Sequence, residues 1–390
     1  MKILVVSHSC VIDVNQRLLV ELAKYPDVQL GLAVPHRWRS DIRGGVSFKR
    51  HPELGATFFP MRVVLGNLKD KNVIMHFYLS PQIPIKKFKP DIVYIQEEPW
   101  STSAFQFTYV SRGVKKVFFT EQNICKKYPP PFSHFEKYVF NNTDAAIAVS
   151  GEASEVLRKK GYRKKIYVIP HGVDLSLFQT ADVANTREIL RRKYGLYGVV
   201  VGYMGRITRE KGIDTLIEAM HLLTTCRPSL TDDFCLAIIG DGPYKNGLRG
   251  IIGDYELARC VKMIPAVPHG KVPPYLGMFD ITVLPSRTTR SWREQFGRVL
   301  IESMALGIPV VGSSSGEIPN LIEKTGGGMV FREGSAEDLK EKLLELIRDG
   351  KTRRQLGQTG KENMKLFSYA RIAGEHGEVF KEILGTEEEI

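Results

Sequence analysis

The chain has 390 residues, 43% of them apolar, with 55 Lys and Arg against 43 Asp and Glu. That length suits two or three domains and that apolar fraction fills their cores, which excludes a disordered or fibrous chain. No run nears the roughly eighteen apolar residues of a membrane span, and five scattered cysteines without C-x-x-C spacing fit a reducing cytoplasm, not a cysteine zinc site. The chain opens MKILVVSHSC, whose apolar run is too short for a signal-peptide core and predicts a buried strand ending at Ser7 and His8. Residues 50–85 follow no clean period and predict loop and hairpin structure rimming a cleft. DIVYI, KVFFT, AAIAVS and IYVIP then read as strands with helix-like stretches between them. The pattern lapses over residues 170–186, where a join is expected, and REILRRKYG opens a polar helix. GVVVGYMG, FCLAIIGDG, CVKMIPAV, ITVLPS, IPVVGS and GGMVF are the strands of the second half. The last segment, from FSYARIAGEHG onward, predicts an amphipathic helix with an acidic, frayed end. Short apolar strands alternating with helices imply an α/β chain of two doubly wound parallel sheets, each covered on both faces.

The net charge of +12 is not evenly spread. Residues 1–170 hold 26 Lys and Arg against 14 Asp and Glu, whereas residues 171–390 hold 29 of each. Such asymmetry marks either solubility or a surface for an anionic partner. The densest stretch is RKKGYRKK, with Arg158, Lys159, Lys160, Arg163, Lys164 and Lys165. Cations there also complement a helix C-terminus, so both readings stay open.

Two motifs in the second half carry chemistry. EQFGRVLIE places Glu294 and Glu302 on either side of Gly297. A fully helical stretch would set the acids roughly 12 Å apart along its axis, too far for a direct hydrogen bond. The amides of Gly297, Arg298 and Val299 at a helix start make an anion site. A nucleotide-sugar laid along it would have its pyrophosphate at the helix N-terminus, with Glu302 reaching ribose hydroxyls and Glu294 facing the sugar. GYMGRITREKGID supplies cations, Arg206 and Lys211, on a strand-to-helix loop, suited to balancing a pyrophosphate without metal. Asp241 in IIGDGP reads as a residue that fixes a turn. No Walker loop, GxGxxG or Asp-x-Asp is present.

EQFGRVLIESMALGIPVV resembles the E-x7-E region of retaining glycosyltransferase family 4. GRITREKGID resembles that family's Arg-and-Lys phosphate motif, and IPHGVDLSLF is similar to its interdomain motif. The resemblance implies a GT-B architecture in which two Rossmann-like domains face a central cleft. Residues 1–170 would form the acceptor-side domain, 171–366 the nucleotide-sugar domain, and 367–390 a helix returning to the first. It further implies that Arg206 and Lys211 bind the diphosphate, Glu294 orients the donor sugar, Glu302 holds the ribose, and backbone near Val267 contacts the base.

The first half departs from the family pattern. VIDVNQR stands where a glycine pair is common, and Gln122 in FTEQNI and Glu97 with Glu98 in YIQEEPW stand where histidines are common. Gln122 is unable to act as a general base, and Glu98 either binds an acceptor hydroxyl or caps a loop. The expectation is a cytoplasmic, metal-independent, retaining hexosyltransferase with no cofactor beyond its nucleotide-sugar co-substrate, closing about the 170–186 join to exclude water. Its acceptor would be a glycan or a lipid-linked hydroxyl, reached by peripheral contact with an anionic membrane, for which the Arg158–Lys165 cluster and the aromatic, basic stretch from Phe58 to Phe88 are candidates. Nucleic acid is not an expected partner. The alternatives are a nucleotide-sugar epimerase of the same fold, a glycan phosphorylase lacking its pyridoxal lysine context, and a non-catalytic sugar-nucleotide-binding partner.

Overall fold

Apolar strands buried on both faces need helices on both sides, and each half of the chain meets that requirement with its own parallel sheet. The computed structural model describes residues 1–40, 44–66, 72–178, 182–226 and 233–385. The expected acidic end at 386–390, residues 179–181 of the expected join and residues 67–71 of the aromatic, basic stretch lie outside them. The chain forms two units, Met1–Gly172 together with Tyr369 onward, and Val173–Ser368.

In the first unit seven parallel strands lie side by side in the order Lys165–Val168, Ala145–Ala148, Lys115–Thr120, Ile92–Ile95, Lys2–Val6, Gln29–Pro35 and Thr57–Met61. Numbered along the chain, that order is 3-2-1-4-5-6-7, which reverses between the first and fourth strands. Alternate residues feed opposite cores: Ile3, Val5, Ile92 and Tyr94 on one face, Leu4, Val6, Val93 and Ile95 on the other. The helix Tyr369–Leu384 packs on the first of these faces through Ile372, Ala373, Val379 and Phe380. His376 is buried there, its Nδ1–H donating to the Ile372 carbonyl at 2.8 Å and its Nε2 accepting from the Tyr94 hydroxyl at 3.1 Å. Burial pushes that imidazole down to about 4.

Residues 50–85 correct the expectation of loop and hairpin structure alone. Thr57–Met61 is the edge strand of the sheet, pairing in parallel with Gln29–Pro35, itself a strand the periodic reading passes over. Pro60 sits on the edge strand, where a missing amide is tolerated. The hairpin-like part is the antiparallel pair Val63–Val64 with Phe77–Tyr78, followed by the helix Gln82–Phe88.

The second unit has six parallel strands in the order Val261–Ile264, Phe234–Ile239, Val199–Met204, Ile281–Leu284, Val310–Ser313 and Gly328–Phe331. This is 3-2-1-4-5-6, with the same reversal between first and fourth strands. In open sheets of this kind ligands bind outside the carboxyl ends of the strands at the reversal. The loops after Met204 and Leu284 therefore mark the site in this unit, and those after Val6 and Ile95 mark it in the other.

Candidate active site

The strand Val199–Met204 runs into Gly205 and Arg206, then a single turn at Arg209–Lys211, then the helix Ile213–Cys226. Its neighbour Ile281–Leu284 runs into Pro285, Ser286 and the loop that carries Glu294. Parallel pairing thus brings the two motifs to one sheet edge. Lys211 Nζ and the Ser286 hydroxyl both donate to Glu294 Oε2, each at 2.6 Å, and the carboxylate is buried. The Lys211 ammonium also lies 4.8 Å from the centre of the Trp292 ring. Gly316, at φ +57°, seats its backbone on the Glu294 carbonyl; a Cβ there would meet that oxygen at 1.9 Å. The Glu294 carboxylate is therefore held from two loops, and Glu294 itself from a third.

Gly297 has φ +87°, which explains glycine at the turn into the helix Arg298–Ala305. Leu300, Ile301 and Met304 bury one face of this helix, each worth about 1.5–3 kcal/mol. It ends at Gly307, at φ +75°. Since the helix starts only at Arg298, the ideal-helix spacing between Glu294 and Glu302 does not apply. Glu302 is half-buried and its carboxylate makes no hydrogen bond or ion pair among the described residues. Burial raises its pKa, against the pull of Arg298. Arg298 and Val299 are half-buried in the first turn, whose amides have no partner within the helix.

Arg206 is exposed and makes no ion pair among the described residues; its carbonyl accepts from the buried Tyr203 hydroxyl at 2.6 Å, which fixes the loop. Asp241 braces that loop from the next strand end: its carboxylate accepts from the Gly242 amide at 2.8 Å and its carbonyl from the Ile207 amide at 2.9 Å. Val267 follows the strand Val261–Ile264 on the same edge of the sheet. The sequence reading missed Ser286 and Gly316. The small residues that follow the ITVLPS and IPVVGS strands were the available signal for both.

In the first unit Glu98 accepts from the Thr120 hydroxyl at 2.6 Å and the Glu121 amide at 2.8 Å, so it caps the loop after the strand Lys115–Thr120. Burial lifts its carboxyl to about 7. Gln122 is engaged at both ends of its carboxamide, donating to the Tyr128 hydroxyl at 2.9 Å and accepting from Lys160 at 3.1 Å. The sequence reading assigned no role to His8 or His76 and saw Glu97 only as a departure from the family. These three meet at the reversal of the first sheet. His8 Nδ1–H donates to Glu97 Oε2 at 2.6 Å, the His8 amide to Oε1 at 2.7 Å, and His76 Nε2 lies 3.7 Å from Oε1. Burial alone would raise the Glu97 carboxyl, but the two histidines outweigh it and hold the group down to about 2.

The basic cluster is largely spent inside the unit. Arg158 donates to the Tyr162 and Lys164 carbonyls, Lys164 to the Asn141 and Thr143 carbonyls, and Lys160 pairs with Glu136, Lys159 with Glu155 and Lys165 with Glu382. Of the six, Arg163 alone has no such partner among the described residues.

Two family models match the chain, Glycosyl transferases group 1 over residues 186–363 and Glycosyltransferase Family 4 over residues 50–177. It is 25% identical over 306 residues to the D-inositol 3-phosphate glycosyltransferase of Kribbella flavida, covering 76% of this chain and 68% of that one. It is 30% identical over 229 residues to the GDP-mannose-dependent alpha-(1-6)-phosphatidylinositol monomannoside mannosyltransferase of Mycobacterium tuberculosis, covering 57% of each. The solved structure of Anabaena HepE in complex with UDP-glucose matches with a TM-score of 0.71 at 20% identity, over 98% of this chain and 100% of that one. The alignments span between 50% and 68% of the curated relatives' lengths. Two Rossmann-like parallel sheets with this strand order give the GT-B fold that the chain shares with that structure. The two models together take in most of the chain, which belongs to glycosyltransferase family 4.

Proposed function

We propose that the chain transfers a hexose-type unit from a nucleoside diphosphate sugar to an acceptor hydroxyl, with retention and without a metal ion in the donor chemistry. The observation that carries this reading is the convergence of Lys211 and Ser286 on one oxygen of the buried Glu294, at the sheet reversal whose first loop also carries the exposed Arg206. A carboxylate so held orients a sugar hydroxyl without rearranging during reaction. Arg206 and Lys211 supply the positive charge that a departing diphosphate needs, and Glu302, with no hydrogen-bond or ion-pair partner among the described residues, is left for the ribose hydroxyls. In this reaction the bond from the anomeric carbon to the diphosphate oxygen breaks. The acceptor oxygen bonds to the same face of that carbon, and its proton passes to the leaving phosphate. The protein's contribution is positioning and charge stabilisation.

The acceptor reading rests on the first unit and on relatives whose names carry inositol phosphates. Outside the carboxyl ends of the strands Gln29–Pro35 and Thr57–Met61 lies a cavity of about 440 Å³ lined by His36, Arg37, Arg62, Val63 and Leu79. Arg37 and Arg62 are exposed and make no ion pair among the described residues, and Val64, Leu65, Leu79 and Ile83 are exposed apolar side chains of the same stretch. Exposed cations beside exposed apolar groups suit an acceptor with a phosphate and a lipid tail at an anionic membrane surface. No helix among the described residues is long and apolar enough to cross a membrane.

The test is a panel of nucleotide-sugars incubated with the chain and no acceptor, with and without chelator. One donor should release nucleotide slowly and equally in both conditions, and the sugar first transferred should keep its anomeric configuration by proton NMR. Release from no donor would leave only a binding role. Release only with magnesium or manganese, or an inverted product, would refute the mechanism.

A further inference from the structure

The His8, Glu97 and His76 cluster is not explained by glycosyl transfer from the second unit. The strand Lys2–Val6 delivers His8 and its neighbour Ile92–Ile95 delivers Glu97, while His76 arrives from the segment before Phe77–Tyr78. Glu97 and His76 have no side-chain exposure, and His8 retains 20%. The Trp38 ring lies tilted against His8 at 4.9 Å and edge-on to His76 at 4.8 Å, and shields both imidazoles from water.

His76 carries the argument. Its Nδ1 lies 2.9 Å from the Asn72 carbonyl, which only accepts, so Nδ1 holds a proton, and in the neutral ring Nε2 then presents a lone pair. That Nε2 is fully buried, has no hydrogen-bond partner among the described residues, and faces Glu97 Oε1 at 3.7 Å, beyond hydrogen-bond length. Two buried acceptors facing each other need a cation between them. A histidine that gives one ring N–H to a backbone carbonyl and turns the other nitrogen to a carboxylate has the arrangement of a metal ligand. One ligand atom from each of the three residues lies within 4.8 Å of the others. His8 Nδ1 meets Glu97 Oε2 at 2.6 Å and His76 Nε2 faces Oε1 at 3.7 Å, so the two imidazoles flank one carboxylate, and ligand bonds of about 2.0–2.1 Å draw them together around it.

We propose that His8, His76 and Glu97 form a binding site for a divalent transition metal of the zinc class at the strand reversal of the first sheet. His8 gives up the Nδ1 proton it shares with Glu97, and that proton leaves to solvent as the metal takes its place. Two imidazoles and one carboxylate leave a fourth position, reached from the His8 side because only His8 is exposed. A water or a ligand hydroxyl is the class of group that fits there. The site lies in a different unit from the proposed donor machinery, so its loss and the loss of donor chemistry are separable.

The full chain, stripped of metal by chelator, is titrated with Co²⁺ and then with Zn²⁺. One Co²⁺ should bind per chain with the intense visible bands of a four-coordinate ion, and Zn²⁺ should abolish them. His8→Ala, at the one partly exposed ligand, and Glu97→Gln, which keeps the side-chain shape, should each weaken binding by more than about tenfold with the far-UV circular dichroism unchanged. If Glu97→Gln fails to fold, His8→Ala decides alone. A weak six-coordinate cobalt spectrum, no binding at micromolar metal, or binding unchanged in His8→Ala would overturn the site. Donor hydrolysis in chelator, measured on the same metal-free chain, reports on the donor reading separately.

Discussion

The two sheets have the same order over their first six strands and reverse at the same place, yet the reversal holds different chemistry in each. In Val173–Ser368 it holds a lysine, a serine and a glutamate, with an exposed arginine beside them. In the unit built on Met1–Gly172 it holds two histidines around a glutamate under a tryptophan. One strand topology presents loop residues to a ligand, and the side chains placed there decide whether a phosphate, a sugar or a metal is met. The set in Val173–Ser368 is charged for an anion. The set in the unit built on Met1–Gly172 is arranged around a carboxylate, with no lysine or arginine in it among the described residues.

The strongest way to break this contrast is to treat the two donor-side cations as equivalent, which sequence alone suggests. Lys211→Ala leaves the buried Glu294 carboxylate without its ammonium, and should cost about 3–5 kcal/mol of stability in urea unfolding as well as slowing transfer. Arg206→Ala removes an exposed, unpaired side chain and should slow transfer with an unchanged unfolding midpoint. Equal destabilisation by the two variants would contradict the geometry.

The histidines of the first unit offer a second test, through His376 on the C-terminal helix. Its folded pKa is about 4 against an ordinary 6.5, so the unfolded chain binds the extra proton first as pH falls. Its contribution is complete above pH 6.5 and is lost as pH drops toward 4, by about 3 kcal/mol. His376→Leu should therefore lose less stability than the parent chain between pH 7 and 4, measured by urea midpoints. An identical pH slope in both would mean that His376 takes up its proton equally in the folded and unfolded chains.

The smallest expected effect concerns where the positive charge of the first unit acts. Flotation with anionic liposomes should fall when Arg37, Arg62, Lys86, Lys87 and Lys89 are changed to Gln, each cation near the surface being worth about 1 kcal/mol. Association should weaken with salt and vanish on neutral liposomes. Replacing Arg158–Lys165 should instead lower stability, because those cations close hydrogen bonds and ion pairs within the unit. The reverse pattern would restore the sequence-based candidate.

Legibility followed sequence distance. The EQFGRVLIE helix, its glycine ends and the Lys211 loop could be read because each is a contiguous segment with its own period and caps. Gln29–Pro35 was passed over because Gly31 interrupts its apolar run, and Thr57–Met61 because it is an edge strand with Pro60 inside. Ser286 and Gly316 carry only the weak signal of small residues after a strand until parallel pairing sets their loops beside Glu294. His8 and Glu97 are 89 residues apart, and only the reversal of strand order makes them neighbours. The charge count was right in sum but misleading in place, since RKKGYRKK looks like an open patch in one dimension and is a bonded one in three.

The central claim is that Glu294 and Glu302 serve different parts of one donor. It is tested most directly by measuring nucleotide affinity by calorimetry and turnover by nucleotide release for Glu294→Ala and Glu302→Ala alongside the parent chain. Glu294→Ala should lower turnover by about 10²–10³-fold with nucleotide affinity nearly unchanged. Glu302→Ala should weaken nucleotide binding by about 1–3 kcal/mol with a smaller effect on turnover at saturation. Equal loss of nucleotide affinity in both variants, or turnover unaffected by Glu294→Ala, would contradict the account.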